Sequence, residues 1–145
     1  MERETIMAEA RARERREIER PLSPHLQIYS NQINMVMSIV HRITGMALYF
    51  GTVLLAWWLL AAASGPQAFA VANDFFGTIV GKIILFGYTW ALMHHTLGGI
   101  RHFIWDTGRG LDLTSVDLLS WGTLIGSVAL TIAVWAIALQ MRGEL

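Results

Sequence analysis

Residues 93–102, MHHTLGGIRH, place three histidines and an arginine at the end of an apolar run long enough to cross a bilayer. Ionisable side chains are costly in lipid, so each needs a structural or chemical reason to be there. On a helix, residues seven apart return to nearly the same face. His95 and His102 therefore line one stripe, about 10 Å apart along the axis. Gly98 and Gly99 lie between them and leave that side almost bare of side chains. A flat macrocycle such as haem needs this combination of a nitrogen for the iron and backbone low enough for the ring to approach. An intramembrane histidine can equally hydrogen-bond a neighbouring helix. One histidine cannot fill both axial positions of a six-coordinate haem, and nothing else on this helix is placed to be the second ligand. From this segment alone both readings stand.

The whole chain narrows the chemistry. It has 145 residues, 54% of them hydrophobic, no cysteine, and acidic and basic residues that cancel. Most of the charges lie in the first twenty residues, and long stretches after Ile43 carry none. That pattern is a membrane protein with a short polar head. Without cysteine, thiolate-bound iron–sulfur clusters, disulfides and covalent haem attachment are excluded within this chain. Histidine remains as the protein ligand for a metal. Balanced charge, with no basic patch beyond the head, excludes a nucleic-acid-binding surface.

The elements that must position these residues follow in chain order. Residues 1–19 (MERETIMAEARARERREIE) alternate Glu and Arg with Ala and read as a solvated extension. This head has neither the apolar core of a secretory signal nor the acid-poor composition of a transit peptide, so a bacterial inner membrane is expected rather than a mitochondrial one. Arg20, Pro21, Leu22, Ser23, Pro24, His25 and Leu26 form an extended strap because two prolines block a helix. The strap suits either docking on a partner at the membrane surface or simple linkage. The predicted division is a charged extension with its strap over 1–30 and a membrane domain over 31–145.

The membrane domain reads as all-α, with three transmembrane helices in an up-down-up bundle. The first helix is predicted to begin near Ile33, and its uncharged part, residues 43–63, is about 31 Å long. Trp57 and Trp58 near its far end fit an interfacial belt, and Ser64, Gly65 and Pro66 break it. A short loop to about Asp74 leads to the second helix, predicted over 75–105, with Lys82 and Arg101 snorkelling to opposite interfaces. Gly77 and Gly81 offer a small-residue packing step. After the polar turn of residues 106–112, an uncharged third helix is predicted over 118–141, with Gly122 and Gly126 as a second packing step and a face for lipid or a partner.

Basic residues set the orientation. Arg11, Arg13, Arg15, Arg16, Arg20 and Arg42 precede the first helix core, Arg101 and Arg109 flank the second connection, and only Lys82 and Arg142 lie opposite. The positive-inside rule places the N-terminus and second connection in the cytoplasm. Ser38, His41 and Arg42 then sit at the cytoplasmic end of the first helix, with Ser38 and Arg42 four apart on one face. His95, Arg101 and His102 lie in the cytoplasmic half of the second. The two helices thus bring these side chains to one end of the bundle. Arginine suits the propionates of a haem, a deeper histidine can reach its iron, and serine with arginine near an interface can bond the carbonyls of a quinone. Arg42 could also simply anchor its helix.

Two stretches carry a resemblance. The first is Arg20-Pro21-Leu22 followed by Ser38-x-x-His41-Arg42-x-Thr44-Gly45. The second is His95-x-x-x-Gly99-Ile100-Arg101-His102-Phe103-x-Trp105-Asp106-x-Gly108. With the three-helix plan, they make residues 20–140 resemble the cytochrome b membrane-anchor subunits of succinate dehydrogenase, respiratory complex II. The head before Arg20 and the extra His94 lie outside the pattern. The resemblance implies that His95 is an axial ligand of haem b and that a second, smaller anchor subunit supplies the other. It implies ubiquinone at Ser38 and Arg42, and haem propionates near His41, His102 and Arg101. It further implies an iron–sulfur subunit that delivers electrons and a flavoprotein that oxidises succinate. A quinol:fumarate reductase anchor and a cofactor-free membrane scaffold are the competing readings.

Overall fold

The structure is a computed structural model that describes residues 1–7 and 30–143. The predicted strap and most of the charged head lie outside the described residues. The chain divides into two units, Met1–Ser30 and Asn31–Leu145. In the first, residues 2–7 are helical and Thr5 Oγ1 donates to the Met1 carbonyl at 2.7 Å. The second holds four helices, and the described residues contain no strand.

Helix α1 (Ile33–Ser64) begins where the sequence predicts and ends at Gly65, whose φ of 116° would strain any other residue. Pro66 then opens α2 (Pro66–Gly77) from the first-turn position where its missing N–H costs nothing. The predicted loop over this stretch is therefore a helix. Its aromatic side chains explain the difference. Trp57 packs against Phe75 and Phe76, with ring centroids 5.6 and 5.7 Å away. Trp58 donates from Nε1 to Asn73 Oδ1 at 3.2 Å, so the two tryptophans clasp α2 as well as marking a helix end.

Helix α3 (Ile79–Asp106) starts four residues later than predicted because Thr78 caps it, accepting from the Gly81 amide at 3.0 Å. The chain bends by 80° between α2 and α3. Gly77 and Gly81 thus do not form one packing face; Gly81 instead lets the backbone of Phe75 and Phe76 come close. Helix α4 (Leu113–Met141) starts five residues earlier than predicted, at a cap formed by Asp112, which accepts from the Ser115 amide at 2.9 Å. Hydrogen bonds from Ser115 hold the Asp112 carboxyl below the ordinary carboxylate range.

By length and composition α1 and α4 can each cross a membrane, and the bent pair α2–α3 makes a third span if taken as one. The packing is that of a protein solvated by lipid. Phe50, Ile83, Trp121 and Ile132 are exposed, whereas Thr44, His94, Arg101, Ser120, Thr123, Ser127 and Thr131 are buried. Helix α3 packs against both α1 and α4. On α1, Gly51 meets Tyr88, Gly45 meets His95 and His41 meets Gly98, so residue numbers fall on one helix as they rise on the other. On α4, Ser120 meets Arg101, Gly126 meets Leu97 and Trp135 meets Thr89 in the same opposed sense. Gly126 is the packing glycine of its pair, while nothing lies near Gly122.

Candidate functional site

Two glycines let α1 and α3 bring their histidines together. A Cβ at Gly45 would stand 3.0 Å from His95 Cε1, and one at Gly98 would run into the His41 ring. His41 therefore fills the bare side at Gly98 that the sequence leaves for a macrocycle; the open step is Gly99, with nothing within 4 Å of its Cβ position. The His41 and His95 rings stack at 4.0 Å between centroids and 6° between planes. His102 lies 5.2 Å from His41 and edge-on to Trp105. These four rings form one row along the seam between the two helices.

The hydrogen bonds of His95 fix its chemistry. Its Nδ1 is 3.1 Å from the His41 carbonyl oxygen, with Thr44 Oγ1 at 3.4 Å. A carbonyl can only accept, so Nδ1 carries the proton and Nε2 keeps a lone pair. A second partner on the far nitrogen is how metal-binding histidines are usually oriented. His95 is half-buried at the edge of the bundle, within reach of another molecule. His41 cannot be a second ligand to the same iron, because axial ligands face each other across the macrocycle and these rings lie face to face. Its Nδ1 is buried without a partner among the described residues. These residues fit a haem that takes one axial nitrogen from this chain.

His94, one residue away, is fully buried and packs near Trp90. Arg101 does not snorkel to an interface. It is 3% exposed, donates from Nη1 to Ser120 Oγ at 3.2 Å and stacks over Trp105. The α4 hydroxyl and the indole hold the guanidinium inside the bundle.

Ser38 and Arg42 share a face of α1 as their spacing predicts, with Arg42 Nη2 donating to Ser38 Oγ at 3.3 Å. They border an open cavity of about 530 Å³ that Asn34, Trp105, Leu111 and Val116 also line. The Trp105 indole is fixed by a hydrogen bond from Nε1 to the Gly110 carbonyl at 2.9 Å. Trp105 touches all three groups: the Ser38–Arg42 cavity, His102 and Arg101. The sequence reading missed it as a site residue, although its place three residues after His102 was the available signal.

Residues 16–134 match the family model described as succinate dehydrogenase/fumarate reductase transmembrane subunit. The chain belongs to that family. It is 46% identical over 113 residues to the succinate dehydrogenase cytochrome b556 subunit of Paracoccus denitrificans, covering 78% of this chain and 87% of that one. Identity to the Rickettsia bellii protein of the same name is 40% over 116 residues, covering 80% and 90%. To the mitochondrial cytochrome b560 subunit of Bos taurus it is 36% over 116 residues, covering 77% and 67%. Family membership and apolar helices make the chain a multi-pass membrane-anchor subunit of the succinate dehydrogenase type, and the bacterial relatives support a bacterial membrane.

Proposed function

We propose that this chain is the cytochrome b membrane anchor of a succinate:ubiquinone oxidoreductase. The observation that carries this reading is the fixed tautomer of His95, which leaves a bare Nε2 at the edge of the bundle. The cytochrome names of the relatives agree with it. His95 Nε2 would hold the iron of haem b, with a histidine of a second, smaller anchor subunit as the other protein ligand. When bound, the haem accepts and returns single electrons. His41 stands beside His95 and His102 beside His41; both would meet the propionate region, and Arg101 would add positive charge from inside the bundle.

Ser38 and Arg42 hold ubiquinone in their cavity. Ser38 Oγ accepts from Arg42 and so keeps its own proton for a quinone carbonyl. An iron–sulfur subunit docks at this end and delivers the electrons, and a flavoprotein subunit oxidises succinate. The three spans run up-down-up across a bacterial inner membrane, with the N-terminus and the connection between α3 and α4 in the cytoplasm. Residues 1–30 are a cytoplasmic charged extension with a proline-containing strap; residues 31–145 are the haem and quinone anchor domain.

The matched family description also covers fumarate reductase, so a quinol:fumarate reductase anchor is the second reading. The test is a reduced-minus-oxidised difference spectrum of the complex purified through this chain, with succinate as reductant, alongside ubiquinone reduction. A succinate-reducible b-type spectrum with ubiquinone-dependent turnover is expected. Faster fumarate reduction by quinol would favour the second reading. No haem absorption and no quinone activity would leave a cofactor-free scaffold.

A further inference from the structure

Each buried residue of α4 carries a hydroxyl. Ser120, Thr123, Ser127 and Thr131, spaced three, four and four, make one stripe along the helix. All four donate to carbonyls of their own helix: those of Val116, Leu119, Leu124 and Ser127, at 2.7 to 2.8 Å. Each hydroxyl has thereby committed its only proton and offers its neighbours lone pairs alone.

On α3, two buried side chains have polar atoms left over. Neither ring nitrogen of His94 has a hydrogen-bond partner among the described residues, and neither has Arg101 Nε. His94 lies two turns from Arg101 on the same face, and Arg101 reaches Ser120. The register that pairs Arg101 with Ser120, Leu97 with Gly126 and Thr89 with Trp135 sets His94 at a level between Ser127 and Thr131.

In either tautomer an imidazole has one N–H and one bare nitrogen, so it requires an acceptor and a donor. The hydroxyls of α4 can accept from it but have no proton to return. A partner subunit cannot help, because His94 is 0% exposed within this single chain. The unmet demand calls for a small molecule that donates and accepts at once. Water does both, and ordering it costs less than leaving buried polar atoms unpaired.

We propose that ordered water is bound between α3 and α4, bridging the His94 nitrogens to the hydroxyls of Ser127 and Thr131. A second position lies near Arg101 Nε and Ser120. This site takes neither iron nor quinone, and it does not depend on how His95 is used.

The test is a structure of the intact complex in lipid nanodiscs at a resolution that shows ordered water. Density within hydrogen-bonding distance of both His94 nitrogens and of an α4 hydroxyl is expected. A dry interface, or His94 bonded directly to protein on both nitrogens, would overturn the proposal. Thermal melting of the complex gives an independent readout. Ser127→Val fills the water's place and should lower the midpoint by roughly 2–4 °C. In a His94→Leu background, which removes the demand for water, the same substitution should cost little. Equal cost in both backgrounds would contradict a water shared by the two residues. If Ser127→Val fails to assemble, the density in the unaltered complex decides.

Discussion

His94 and His95 are chain neighbours with identical side chains, and α3 turns them to different surroundings. His95 stands at the seam with α1, half-buried, with one nitrogen held by the His41 carbonyl and the other directed away from that bond. His94 is enclosed on the face that Arg101 turns towards α4, with no partner on either nitrogen among the described residues. A ligand to a cofactor shared between subunits has to be reachable from outside its own chain. Burial keeps His94 from the role proposed for His95, and orientation by a backbone carbonyl suits His95 to it. The same contrast extends along the helix: Gly98 belongs to the His41–His95 cluster, whereas Arg101 belongs to the polar interior.

The largest effect should come from withholding the partner. Expressed alone, this chain should show no stable bis-histidine haem, because His41 is stacked on His95 and His94 is enclosed. One bis-histidine haem per isolated chain would break the distinction between edge and interior.

Next in size are the two residues proposed to hold ubiquinone. Arg42→Ala should weaken ubiquinone binding roughly tenfold to a hundredfold, the loss of a charged hydrogen bond, and Ser38→Ala should cost less. Electron transfer to an artificial acceptor that draws from upstream should be spared in both. Haem content must be measured in the Arg42 variant, since a propionate could also use its charge. Normal ubiquinone affinity and inhibitor sensitivity in both variants would move the quinone site away from the cavity beside Trp105.

The smallest effect sharpens the contrast between adjacent glycines. Gly98→Ala drives a methyl group into the His41 ring and should destabilise the complex by about 1–3 kcal/mol, with a disturbed haem spectrum. Gly99→Ala meets nothing and should be neutral or stabilising by up to about 1 kcal/mol, because alanine is the better helix former. Thermal melting followed by haem absorbance separates the two. Equal effects would show that His41 does not rest on Gly98.

Much of the architecture was legible because it rests on periodicity and spacing. The start of α1 at Ile33, the shared face of Ser38 and Arg42, and the approach of His41 to His95 and His102 all follow from helical geometry and two opposed helices. What was not legible depends on packing between elements. Residues 66–77 are too short and too mixed to announce a helix, and it is Trp57 and Trp58 that give α2 something to fold against. The inward turn of Arg101 depends on Ser120 arriving opposite it, a matter of inter-helix register that no single helix encodes. The hydroxyl stripe of α4 has a readable three-four-four spacing, but which face is buried is set by the packing of α3 against it.

The most direct measurement of the central claim is near-infrared magnetic circular dichroism of the oxidised complex carrying His94→Ala or His95→Ala, with each variant checked for assembly. The bis-histidine charge-transfer band should persist in His94→Ala and vanish in His95→Ala, because one axial nitrogen is lost only in the second. A band lost with His94 and retained without His95 would contradict the assignment of the iron to the edge of the bundle.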